Sequence, residues 1–243
     1  MKEKMMIIHD KRIPEQYIEL LKKKLPGVVF LPFRPSRHED GEVYDSILCH
    51  PDIYIFQIDN KTFVHAPCVP EKILQTLKDQ QISLIKGASN PGVLYPQTVL
   101  YNAVRVGNTV FCNAQYIDRV VLEEIEKRKL KLVKVSQGYA RCSVMVVGEN
   151  AIITQDEGIA ETARNAGIEV LVVSARTIVL PGEKHGFIGG VCGISPKGMI
   201  IFLGDFKLHK QAQKIEDFLF EHSVMYISAE GLPLYDGGGL LIA

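Results

Sequence analysis

The run LPLYDGGGLLIA occupies residues 232–243 and ends the chain on a glycine triplet and an apolar tail. Leu240, Leu241, Ile242 and Ala243 read as a short strand with nothing after it to pair with. At the other end, MMIIHD at residues 5–10 reads as a strand leading straight into a helical pattern. It lacks the opening strand that the chain's other units carry. Joining the two ends supplies that strand.

Working outward, IPEQYIELLKKK from Ile13 and VPEKILQTLKDQ from Val69 share one design. Proline stands at the helix start, where its missing N–H costs nothing, and glutamate follows in the first turn, complementing the helix dipole. Three further amphipathic segments run from Asp118 to Lys129, Asp156 to Ala166 and His209 to Glu221. Each helix is preceded by a β-rich run such as TFVHAP, TVFCNA or AIITQD, and followed by another such as ISLIKG, KLVKV or EVLVVS. Four units have an earlier strand joined by a turn carrying Gly, Asn, Asp or Pro, as in DIYIFQIDNK and SVMVVGEN. The unit is strand, hairpin, strand, helix, strand. With Pro14, Pro70, Asp118, Asp156 and His209 as anchors, the spacings are 56, 48, 38 and 53 residues, and 48 across the joined ends. The reading is an α/β protein of five ββαβ units, one domain over residues 1–243, closed by pairing of the C-terminal strand with the N-terminal unit. Closure removes exposed sheet edges.

Lys plus Arg and Asp plus Glu both number 28, so formal net charge is zero, which argues against a nucleic-acid or anionic-membrane partner. No run approaches the ~20 apolar residues that span a bilayer, and the N-terminal run is too short for a signal-peptide core. A cytoplasmic protein is expected. The five cysteines, at 49, 68, 112, 142 and 192, show no CxxC spacing, so neither a disulfide framework nor a metal site is expected, and no cofactor is implied.

Five ββαβ units closed in this way resemble the pentein fold of the guanidino-group-modifying enzymes: arginine and agmatine deiminases, amidinotransferases and dimethylarginine hydrolases. QGYARCS, HGFIGG and PLYDGGG look like signatures of a bacterial branch of that superfamily. The resemblance implies a Cys nucleophile in a GGGxxC context and a His in an HxD context. Here Gly237, Gly238 and Gly239 are present, but Ile242 stands at the Cys position and Phe187 where the Asp would follow His185. Neither replacement can do the family's chemistry. The resemblance therefore supports the fold and argues against the standard reaction.

The five unit-to-unit junctions should converge on one end of the ring axis, where a rigid scaffold presents loops. Junction one, from Pro32 to Asp52, is the most charged, with Arg37, Asp40, Cys49, His50 and Asp52. Cys49 and His50 are neighbours and would point oppositely on an extended strand. Junction three carries Arg141 beside Cys142. Arg141 would lower the thiol pKa, with His185 from junction four as base, or Cys142 opens a buried strand as a small hydrophobe. Asp52 and Asp236 either cap turns or accept from a cationic ligand. Arg37 and Arg141 would instead favour a carboxylate or phosphate. Asn102, polar on an apolar strand, needs hydrogen bonds and suits an axis-facing place. Two functions follow: a protein binding a small polar molecule or partner at the axis, or a Cys142–His185 hydrolase or transferase of a small amide, amidine or guanidine. Ribosome binding, by analogy of fold alone, is weakened by the zero net charge.

Overall fold

The computed structural model describes residues 4–39 and 41–243; Asp40 lies outside the described residues. The elements run β1 (Met6–Asp10), α1 (Glu15–Lys24), β2 (Val29–Phe33), β3 (Ile55–Asp59), β4 (Thr62–His65), α2 (Glu71–Asp79) and β5 (Ser83–Lys86). Next come β6 (Val104–Val106), β7 (Thr109–Cys112), α3 (Arg119–Lys127), β8 (Lys131–Lys134), the short α4 (Ala140–Ser143), β9 (Val144–Val146), β10 (Ala151–Thr154), α5 (Glu157–Asn165) and β11 (Glu169–Val172). The last are β12 (Cys192–Ile194), β13 (Ile200–Phe202), α6 (Ala212–Glu221), β14 (Tyr226–Ser228) and β15 (Leu241–Ile242).

These strands form five three-stranded sheets. In four of them the first strand pairs antiparallel with the second through a hairpin, and the second pairs parallel with the third across the helix. In the first unit β15 supplies the missing strand: Ile242 pairs with Ile7 and Leu241 with Ile8, antiparallel. Two more backbone bonds link Met6 and Ala243, at 2.7 and 3.0 Å. The apolar tail is the clasp of the ring. The first strands contact one another around the axis, β3 with β6, β9 with β12 and β12 with β15. Gln57 of β3 adds a hydrogen bond to the Ile242 carbonyl of β15, 2.8 Å long.

Burial explains the patterns. Every residue of the central strands β1, β4, β7, β10 and β13 is buried, sheet on one side and helix on the other. That is why they read as continuous apolar runs rather than alternating ones. The outer strands β5 and β8 expose both end residues and half-bury the two between. The helices bury one stripe each, such as Ile73, Leu74 and Leu77 of α2. Asp118 caps α3 by accepting from the Val120 N–H at 2.9 Å, and Asp156 caps α5 through the Ile159 N–H at 2.8 Å. Asp118 also accepts from the N–H groups of Ala88 and Ser89, fastening junction two to the third unit. Pro14 and Pro70 stand one residue before their helices.

The junctions differ from the sequence reading. Residues 51–53, 97–99 and 189–191 form single 3-10 turns, and 140–143 a turn of α-helix, each just ahead of a first strand. Cys142 therefore sits on a helical turn and does not open a strand. Cys49 and His50 lie between two such turns, so the alternation of an extended chain does not govern them. No helix among the described residues is long and apolar enough to cross a membrane.

Candidate functional site: a carboxylate and a thiol on the ring axis

The junctions bring equivalent positions of the five units to the axis, three of them, Asp52, Cys142 and Gly190, on those turns. Asn102, Cys142, Gly190 and Gly239 each stand two residues before their unit's first strand, and Asp52 three before β3. Three of the five positions thus carry a carboxylate, an amide or a thiol, and two carry no side chain. The glycines are needed for space: a Cβ on Gly190 would collide with the Asp236 carboxylate, and one on Gly239 would lie 2.8 Å from Arg141 Nη2.

The three side chains form one network. The Cys142 thiol donates to Asp52 Oδ2 at 2.9 Å. Asn102 Nδ2 donates to Cys142 Sγ at 3.2 Å and to the Asp52 carbonyl at 3.3 Å, while its Oδ1 accepts from the N–H groups of Arg141 and Cys142. Asn102 is fully buried and satisfied on the axis, as its polarity required. Asp52 is fully buried, and its Oδ1 has no partner. Burial raises its pKa to about 6, against the opposing pull of His50, Arg141 and the thiol. The Cys142 thiol is pushed well up, first by burial and then by the charges of Asp52 and Asp236.

Arg141 does not activate that thiol. Its guanidinium makes no hydrogen bond to Asp52 or the thiol; it donates to the carbonyls of Gly189 at 2.9 Å and Cys192 at 3.2 Å and lines a different cavity at the hairpin end of the axis. The expected depression of the Cys142 pKa is reversed, because desolvation and two carboxylates outweigh a cation whose head points elsewhere.

On the junction side, Cys142, His185 and Asp236 line one cavity of about 370 Å³. Asp236 takes the first of the two roles considered for it, the capping of a turn. Its Oδ1 caps its own turn through the Gly238 N–H at 3.0 Å, and its Oδ2 accepts from the Phe187 N–H at 2.8 Å. His185 bonds the Gly186 carbonyl through Nδ1. Tyr44, Tyr139 and Phe187 give the cavity an aromatic wall. The Tyr139 hydroxyl lies 2.8 Å from that of Tyr44 and 2.6 Å from Thr98 Oγ1, and its ring packs near that of Phe187. Arg37 takes no part: its side chain is 85% exposed and faces Glu42 at 3.6 Å.

His50 was missed as a site residue. It lines the same cavity, is buried, and has Nε2 at 3.8 Å from Asp10 Oδ2. Asp10 is gripped in turn by Arg12 Nε and Nη2, the latter at 2.7 Å. His50 Nδ1 has no hydrogen-bond partner. The signal was its place two residues before Asp52 in CHPD, which a helical turn brings to one end of the axis. The other four cysteines are buried, and among the described residues none forms a disulfide. Among the described residues no three His, Cys, Asp or Glu side chains are grouped to hold a metal ion.

Solved structures share the architecture. DDAH of Pseudomonas aeruginosa, a Cys-to-Ser mutant complexed with citrulline, aligns over 93% of this chain and 91% of its own, with TM-score 0.56 and 10% identity. The inosamine-phosphate amidinotransferase of Streptomyces griseus gives TM-score 0.56 and 10% identity over 93% of this chain and 77% of its own. An amidinotransferase of the saxitoxin pathway from Microseira wollei gives 0.52 and 10% over 96% and 89%. The fold is the pentein fold, and at these identities the likeness speaks for the fold alone. No curated protein matches the chain in sequence. Residues 4–241 match the model of the family described as a family of unknown function (DUF6873), and the chain belongs to that family.

Proposed function

We propose that the junction-side cavity binds a small organic cation, an amine, amidine or guanidine head group, with Asp236 and Glu183 in its lining, Asp52 buried behind the Cys142 thiol, and an aromatic wall. The observation that carries this is Asp52: a wholly buried carboxylate with one oxygen unpartnered, the other held by a neutral thiol, and no ion pair among the described residues. Burying such a charge is costly, and a cation nearby offsets the cost. Asp236 and Glu183 carry the negative charge of the lining itself, against Lys184 alone among its fixed cations. Tyr44, Tyr139 and Phe187 offer π-faces, which attract cations. The unpartnered Nδ1 of His50 is a further acceptor if Nε2 carries the proton toward Asp10.

A second reading, a thiol-dependent hydrolase or transferase of a small amide, amidine or guanidine, draws on Cys142 and His185 lining the same cavity. The raised thiol pKa weighs against it in the free protein. Calorimetric titration with guanidinium, methylguanidine and agmatine, against acetate as control, tests the binding reading. A cation should bind, at least tenfold more weakly in Asp52→Asn. Absence of heat with every cation, in protein shown to be folded, sinks it.

A further inference from the structure

We infer that the opposite, hairpin end of the axis is a second binding site, for a small oxyanion bearing a carboxylate or phosphate group. A cavity of about 600 Å³ opens there. Its wall contains residues from the first strands of all five units, and its mouth is made by the hairpin turns at Asn60, Gly107, Gly148 and Gly198. The volume lies within the ~300–1,000 Å³ range of ordinary ligand sites.

The charge on its wall is what points to an anion. Arg105 and Arg141 both line the cavity and both are partly buried. Among the described residues neither has a carboxylate within ion-pair distance. Their hydrogen bonds go to backbone carbonyls: Arg105 to Gly107 at 2.7 Å and Ile58 at 3.2 Å, Arg141 to Gly189 and Cys192. A carbonyl satisfies a donor but carries no net charge, so two partly buried cations stand on this wall without a paired carboxylate. Donors also remain: Arg105 Nη2 and Arg141 Nε have no protein acceptor. Planar guanidinium forks with free N–H groups suit carboxylate and phosphate oxygens.

The acids nearby do not cancel this. Asp59 is paired with Arg128 at 3.1 Å. Glu149, exposed at the rim, is balanced by the exposed Lys197. The two ends of the axis therefore have opposite polarity, carboxylates at the junction end and guanidinium groups at the hairpin end.

The test titrates the full chain with inorganic phosphate and with citrate, at constant ionic strength set by chloride, by calorimetry and by melting temperature. At least one anion should bind saturably and raise Tm above the chloride control, as any ligand of the native state does. Phosphate binding alone identifies a phosphate site, citrate alone a carboxylate site. Arg105→Gln, on an edge hairpin, should weaken binding at least tenfold. The Arg141 Nε–H resonance should shift in unsubstituted protein on saturation, so a folding failure of the variant does not stop the test. No saturable binding of either anion, an unchanged affinity in folded Arg105→Gln, or a stationary Arg141 resonance at saturation overturns the inference. The cation titration at the other end is a separate measurement, and its failure would leave this one standing.

Discussion

At the scale of the residue, Asp52 sets the behaviour of the site. Its pKa is raised to about 6 from 3.8, so the folded state holds its proton more tightly than the unfolded chain. The stability this gives is complete below pH 3.8 and is lost as pH rises through about 6. Two units correspond to roughly 3 kcal/mol. Asp52→Asn keeps the shape and removes the ionisation, so relative to wild type it should gain on the order of 2–3 kcal/mol between pH 4 and pH 8. Urea melts at both pH values check this; an offset independent of pH would contradict it. A bound cation favours the ionised carboxylate, so its affinity should rise with pH through the same window. Cys142 follows from the same charges. Its thiol should resist iodoacetamide at pH 7.5 in the native protein and label on unfolding, because burial and Asp52 disfavour the thiolate. Native-state labelling mapped to Cys142 by mass spectrometry would restore the thiol-enzyme reading. The sequence made Cys142, Asp52, Asn102 and Asp236 visible as polar or reactive residues beside apolar strands. It could not tell that Cys142 would face Asp52, 90 positions away, rather than the guanidinium next to it.

At the scale of the element, β15 closes the ring with very few residues. Leu240, Leu241 and Ile242 are all buried, and the strand's backbone bonds go to β1. Removing residues 240–243 strips apolar area worth on the order of 5 kcal/mol and leaves β1 with an open edge. Thermal melts should show a loss of ten degrees or more, or no folded protein; an unchanged Tm would mean the clasp is dispensable. The glycine turns are a second element-scale device. Gly190→Ala should destabilise by about 1–3 kcal/mol, because its methyl would enter the space of the Asp236 carboxylate. These elements were legible because capping aspartates, apolar stripes and hairpin turns are local signals. The helical turns of the junctions were not, since a single turn has no periodicity to read and is held by what packs on it.

At the scale of the whole molecule, five repeats put unlike residues at like positions. Where the resemblance implied a nucleophile at position 242, Ile242 is packed in an apolar cluster with Ile7, Leu21 and Ile201. The protein should release no ammonia, citrulline or urea from arginine, agmatine or methylated arginine above a heat-killed control. Release that disappears in Cys142→Ser would show instead that the thiol had moved to another unit of the ring.

The sequence by itself determined the five-unit architecture and its closure, because each unit repeats a local pattern of burial and the two incomplete ends fit one another. It also determined the absence of a nucleophile at position 242. Only the tertiary structure decided the sign of the site. Arg141 and Cys142 are adjacent in the chain, yet one helical turn sends the guanidinium to the hairpin-end cavity and the thiol to the junction-side cavity with the carboxylates. A side chain's charge is written in the sequence, but the charge that surrounds it comes from residues far along the chain, and burial in a low-dielectric axis makes those distant charges outweigh the neighbouring one.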